Sequence, residues 1–120
     1  MTEYNRDKWP EEYTDLSIEK VEKFGDGGGD NAFFTELRVL SGAQKGQLKR
    51  NLWFRTKRDG NPRKDTTSLL TALTGNAEAP SYELKDKIFK AKPWYPDGSD
   101  FPIFTRIEKV GEVTDGVDEW

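Results

Sequence analysis

The sequence predicts a small, mostly β single domain of five strands, with one helix between the third and fourth. Three observations carry this. The 120 residues are 33% hydrophobic and 34% charged, so the core must be thin, and it leans on seven Phe, four Trp and four Tyr, rings that suit a pleated, half-buried surface. Five short apolar runs are separated by clusters of Gly, Pro, Asn and Asp, the punctuation of strands and turns. Residues 65–74 carry Leu69, Leu70 and Leu73 as a helical apolar stripe.

Residues 1–12 (MTEYNRDKWPEE) are polar and acidic, with Pro10 after Trp9, and read as an extended, flexible arm. The domain proper is expected over residues 13–110. Its first strand runs over 13–24, where Tyr13, Leu16, Ile18, Val21 and Phe24 break strict alternation. A bulge or sharp bend is therefore expected between Ile18 and Val21. Residues 25–31 (GDGGGDN) can hold no regular element and form a loop. The second strand, 32–40, places Phe33, Leu37 and Val39 on one face and Phe34, Glu36 and Arg38 on the other. After a turn at 41–46, the third strand runs over 47–57. Its alternation sets Leu48, Leu52 and Phe54 against Lys49, Asn51, Trp53, Arg55 and Lys57, with the first set expected inside. Residues 58–62 break the strand, and Asp65 is a credible N-cap for a helix through Thr74, stopped by Gly75. Leu69, Leu70 and Leu73 are its apolar stripe. The fourth strand is expected over 84–94 and the fifth over 101–110, joined by the Pro96-Asp97-Gly98-Ser99 turn. Residues 111–120 form an acidic tail too poor in apolar residues to fold alone.

This element order, with its bent first strand, is that of an OB-fold-like five-stranded barrel with one helix between strands three and four. A curved sheet packed on one helix is the alternative.

Composition narrows the function. With neither Cys nor His in the chain, disulfides, thiolate chemistry, the usual zinc ligands and the commonest general base are excluded together. We expect binding without catalysis, with no cofactor and no metal. No apolar run reaches membrane-spanning length and residues 1–5 are not a secretory signal, so no membrane partner is expected. Net charge is −3, but residues 45–64 hold eight bases and one acid, a net +7, which leaves −10 for the rest of the chain. A basic island in an acidic chain points to a polyanionic partner more strongly than the total argues against one.

The candidate nucleic-acid-binding residues follow from the strand faces. On strand three Lys49, Trp53, Arg55 and Lys57 share a side expected to face outward. An aromatic ring among cations is what single-stranded nucleic acid uses, bases stacking while cations hold phosphates. The alternative places Trp53 in a core or interface. Phe34 and Arg38 on strand two extend the platform, and Arg58, Arg63 and Lys64 in the following loop grip the backbone or are simply solvated. Trp94 and Tyr95 are candidates for a second stacking site between strands four and five. Lys85, Lys87, Lys90 and Lys92 on strand four either contact DNA or protect a sheet edge from aggregation. The Gly-rich loop lacks the Lys-Ser/Thr ending of a phosphate cradle and fits no calcium loop. Asp118, Glu119 and Trp120 are the candidate partner-binding residues, an aromatic beside acids being a compact peptide ligand.

Residues 13–23, Phe33 through Gly46 (FFTELRVLSGAQKG), Leu52-Trp53-Phe54 and Leu84 through Ala91 (LKDKIFKA) together resemble small phage-encoded OB-fold single-stranded DNA-binding proteins. The acidic end is similar to their tails, whose last aromatic is usually Phe and here is Trp120. The resemblance implies sequence-tolerant single-stranded DNA binding in phage DNA replication or recombination, in the cytoplasm of an infected bacterial host. It also implies contact with a polymerase or helicase through the tail. It assigns no individual binding residue. The other readings are a phage-encoded protein-interaction adaptor or inhibitor on the same fold, which the acidic total favours, and a metal-dependent nuclease, for which no compact carboxylate cluster stands out.

Overall fold

The computed structural model describes residues 8–23 and 31–112. Five strands form one antiparallel sheet: β1 (Thr14–Lys23), β2 (Ala32–Val39), β3 (Leu48–Phe54), β4 (Lys87–Trp94) and β5 (Ile103–Glu112). Their order in the sheet is β3-β2-β1-β4-β5. A helix, α1 (Lys64–Thr74), and a short 3-10 helix (Ser81–Leu84) lie between β3 and β4 in the chain. The element order is the expected one. The main differences in bounds are at three strands: β3 ends at Phe54 and not at Lys57, residues 81–84 turn into the 3-10 helix and delay β4 to Lys87, and β5 starts at Ile103 and runs to Glu112, two residues into the expected tail.

β1 is shared by the two halves of the sheet. Its first part, Thr14 to Ser17, pairs with β4, while Leu16 to Lys23 pairs with β2. The register slips between Ile18 and Lys20, within the segment where broken alternation predicts a bulge. An extra residue there bends the strand and increases its twist, which curls the sheet. Among the described residues β3 and β5 share no ladder, so the sheet is not closed into a barrel. Its two edges meet through side chains instead: the Trp53 ring on β3 stacks on Phe104 of β5, centroids 5.2 Å apart and planes 28° from parallel.

α1 packs on β5 and the 3-10 helix. Leu69, Leu70 and Leu73 are buried as their spacing predicts. The cap differs from expectation. Arg63 occupies the N-cap position with no side-chain cap bond, and Asp65 sits inside the first turn, accepting from its neighbour Thr66 N at 2.9 Å. There a carboxylate favours the positive end of the helix dipole. Gly75 ends the helix in the left-handed region, φ 82°, donating its N–H to Thr71 O. No helix among the described residues is long and apolar enough to cross a membrane.

The faces of β3 are the reverse of those the sequence suggests. Trp53 is 1% exposed and Lys49 is 2% exposed, so neither is an outward platform residue. Leu48 and Leu52 are only partly covered, and Phe54 is exposed. Both phases of the alternation carry apolar residues, so the strand alone does not choose between them. Its partner does: Phe33 pairs with Trp53 and Leu37 with Lys49, and Phe33 and Leu37, both fully buried, draw their neighbours into the core. Burying the largest ring releases more free energy than burying a Leu, because the term scales with apolar area. Trp53 Nε1–H donates to Thr35 Oγ1 at 2.8 Å, so its one polar atom is satisfied. The Lys49 stem runs inward and its ammonium lies 4.7 Å from the Trp9 ring centroid. Trp9 itself, from the segment read as an arm, is a core residue, 6% exposed and edge-on to Phe104 at 5.2 Å.

Candidate nucleic-acid interface

Inverting β3 brings a different set of side chains to its outer surface. Phe34 on β2 lies opposite Leu52, and Glu36 opposite Arg50. The Arg50 guanidinium sits 3.8 Å over the Phe34 ring and 3.5 Å from Glu22. Phe54 ends the strand with its ring exposed. Phe34, Arg50, Leu52 and Phe54 line a groove of about 600 Å³. Lys8 and Trp9 of the N-terminal segment and Tyr95, Asp100, Phe101 and Pro102 of the β4–β5 loop also line it. Arg63 and Asp65 at the start of α1 close one end.

Local bonding fixes these two segments. Trp9 N–H donates to Tyr95 Oη at 2.9 Å and the Lys8 ammonium lies 5.0 Å from the Tyr95 ring centroid, which ties the N-terminal segment across to the loop. In the loop, Ser99 Oγ accepts from Phe101 N at 3.1 Å and donates to Phe101 O at 3.0 Å. That turn presents the Phe101 ring outward, 79% exposed. Holding a Phe in water forgoes about 2 kcal/mol of burial, so this ring is costly as structure alone.

The electrostatics are sorted by position. Away from the groove, the outer face of β1 and β2 is neutralised. Lys20 lies 2.7 Å from Glu22 and Arg38 lies 3.0 Å from Glu19. The Lys20 hydrogen bond and charge, with Arg50 beyond, hold the Glu22 carboxyl below its ordinary range, and the Glu19 carboxylate raises the Arg38 guanidinium further above its own. In the groove the surface cations are Lys8, Arg50 and Arg63, beside the acids Asp65 and Asp100, and Arg50 is paired with Glu22 at 3.5 Å. Arg63 is paired with Asp65 at 3.2 Å. Besides the buried Trp9, four rings, Phe34, Phe54, Tyr95 and Phe101, line the groove with them. The arrangement suits a ligand that alternates planar π-faces with anions.

Of the candidates named from the sequence, Phe34, Arg63 and Tyr95 line this groove. Lys49 also touches it, but as a buried side chain, and Trp53 is wholly in the core. Arg38 is on the outer face yet committed, donating to both Glu19 oxygens and to Gly46 O. Arg55 points to the other side of the sheet, where Nη2 donates to Ala79 O at 2.6 Å. It lines a separate cleft of about 840 Å³ with Pro62, Pro80 and Tyr82. Lys57 and Arg58 are exposed on a tight hairpin closed by Lys57 N–H to Asn61 O, and Lys64 is exposed at the first position of α1. Trp94 is exposed on the outer face of β4 and is not a groove residue. Asp118, Glu119 and Trp120 lie outside the described residues.

Sequence reasoning missed Arg50, Phe54, Phe101 and Lys8. Phe101 alone had a readable signal: an aromatic trapped between a Pro-Asp-Gly-Ser turn and Pro102, where no strand can yet bury it. Arg50 and Phe54 followed the misassigned phase of β3. Comparison of the chain with known protein families, curated proteins and solved structures finds no match.

Proposed function

We propose that this protein binds single-stranded DNA with little sequence preference, on an OB-fold, and serves phage DNA replication or recombination. The observation that carries the reading is the groove, which Phe34, Phe54, Tyr95 and Phe101 line together with Lys8, Arg50 and Arg63. Stacking on such rings tolerates any base, since every base has a π-face, and the cations meet phosphates. Two further features support it. The strand order β3-β2-β1-β4-β5 with a bent, shared β1 and a helix between β3 and β4 is the OB-fold order short of closure. The groove also lies on strands two and three beside the β4–β5 loop, the region through which OB-folds take oligonucleotides. The biological role rests on the resemblance read from the sequence alone, with Asp118, Glu119 and Trp120 as the peptide ligand for a replication protein. A protein adaptor on the same fold is the second reading, favoured by the net charge of −3.

A fluorescence-polarisation titration with labelled oligo-dT at several salt concentrations separates the two. Phe54→Ala and Phe101→Ala should each weaken binding by about 1–3 kcal/mol. Three phosphate contacts should give a slope of log K against log salt of about −2, from roughly −0.7 per single-strand contact. A flat salt dependence with unchanged affinity in both variants would reject the DNA reading in favour of the adaptor.

A further inference from the structure

The lysines of β4 have no edge to protect. β4 is interior, flanked by β1 and β5, so the anti-aggregation role of Lys-rich edges does not apply to it. Of its lysines Lys87 pairs with Glu112, and Lys85, which precedes the strand, pairs with Asp86 at 3.4 Å. Lys90 and Lys92 are exposed and meet no carboxylate within ion-pair distance among the described residues. This contrasts with the paired cations on the outer face of β1 and β2.

Lys92 has aromatic company. Trp94, two residues on and on the same face, is 48% exposed. Tyr13, 44% exposed, adjoins Thr14, which pairs with Ala91. On the other flank the β4–β5 register slips between Lys90 and Lys92. Within that bulge Arg106 adopts φ 53°, a left-handed conformation that non-glycine residues rarely take. Bulges re-aim side chains, and unusual backbone conformations persist where the surroundings hold them. Here the bulged Arg106 donates from Nη1 to Tyr13 Oη at 3.2 Å. Two rings and two cations are thus grouped on one face. The nearest acids by register, Asp15 and Glu108, sit one pair further along, opposite Lys90.

The group and the groove are joined in the chain at Trp94 and Tyr95. Trp94 immediately precedes the groove residue Tyr95, so a strand leaving the groove around the end of β4 meets the Trp94 ring next. We propose that Tyr13, Lys92, Trp94 and Arg106 form a second contact for single-stranded nucleic acid, engaged only by strands long enough to pass beyond the groove. The inference rests on the single-strand reading of the groove, and it makes the outer face of β1, β4 and β5 part of the binding path.

The test compares oligo-dT of about 5 and about 20 nucleotides, within and beyond the roughly 4–16 nucleotides of one OB-fold site, against the full chain. Trp94→Ala should weaken the long oligonucleotide about 5- to 100-fold and leave the short one unchanged, whereas Phe54→Ala should weaken both. The Lys92→Gln/Arg106→Gly pair removes both cations while glycine keeps the left-handed backbone. It should lower the magnitude of the salt slope for the long oligonucleotide by about 1.4, two contacts at roughly 0.7 each, with thermal unfolding unchanged. Unchanged long-oligonucleotide affinity and slope in Trp94→Ala and in the Lys92→Gln/Arg106→Gly pair would overturn the second contact while leaving the groove in place. Equal losses for both lengths would also overturn it, making these residues part of the first site. Failure of the unmodified protein to bind either length would overturn the groove reading and this inference together.

Discussion

Trp53→Ala should unfold the protein, or bring it close to unfolding, and any loss of DNA affinity should follow from that alone. Truncating a buried Trp costs about 3–5 kcal/mol, and three features put this site at the upper end. The ring is 1% exposed, so little surrounding structure can relax into the space. Its stack on Phe104 at 5.2 Å joins the two edges of a sheet that has no β3–β5 ladder. The Nε1–H bond to Thr35, itself fully buried, leaves a hydroxyl without its donor when removed. Domains of this size are stable by about 5–15 kcal/mol in all, so a loss of about 4 is a large share. With a urea m-value of about 2 kcal/mol/M, the midpoint should fall by about 2 M. Trp53→Phe keeps a ring against Phe104 and forfeits the hydrogen bond, so it should lose only about 1–2 kcal/mol. Urea unfolding followed by far-ultraviolet circular dichroism measures both. A Trp53→Ala protein with an unshifted midpoint and weakened oligo-dT binding would refute the reasoning and return this ring to the outer face.

Three other outcomes are expected. Arg55→Ala removes the bond to Ala79 O that ties the end of β3 to the loop after α1; it should cost about 1–2 kcal/mol in urea unfolding without altering oligo-dT affinity. Gly75→Ala meets no atom within 4 Å, so its penalty is purely that of a side chain at φ 82°, about 1 kcal/mol in thermal or urea unfolding, and Gly75→Asn should lose less. The Glu112 carboxyl is held below its ordinary 4.5 by hydrogen bonds from Lys87 and then Lys109. A lowered folded-state value adds stability above 4.5 that fades as pH falls through it. Glu112→Gln should therefore unfold at a lower temperature than the unmodified chain near about pH 7, and at the same temperature near about pH 3.

Much of the architecture was legible because local signals agree there. Gly75 stops α1 where a left-handed residue is needed, Leu69, Leu70 and Leu73 mark the buried stripe, and the lapse in alternation after Ile18 locates the bulge in β1. Each depends on residues a few positions apart, within reach of periodicity and turn chemistry. The binding face was not legible in the same way. An alternating strand has two phases related by a one-residue shift, and β3 carries apolar groups in both. Leu48, Leu52 and Phe54 look like a core set until Phe33 and Leu37 on β2 draw Trp53 and Lys49 inward. Those pairings, the Lys49–Trp9 contact and the Trp53–Phe104 stack join residues far apart in the chain. The sequence by itself therefore determined which segments are strands and helix, and that rings and cations are plentiful near β3. Only the tertiary structure decided which of them face the groove, because the choice turns on burying the greater apolar area across strands.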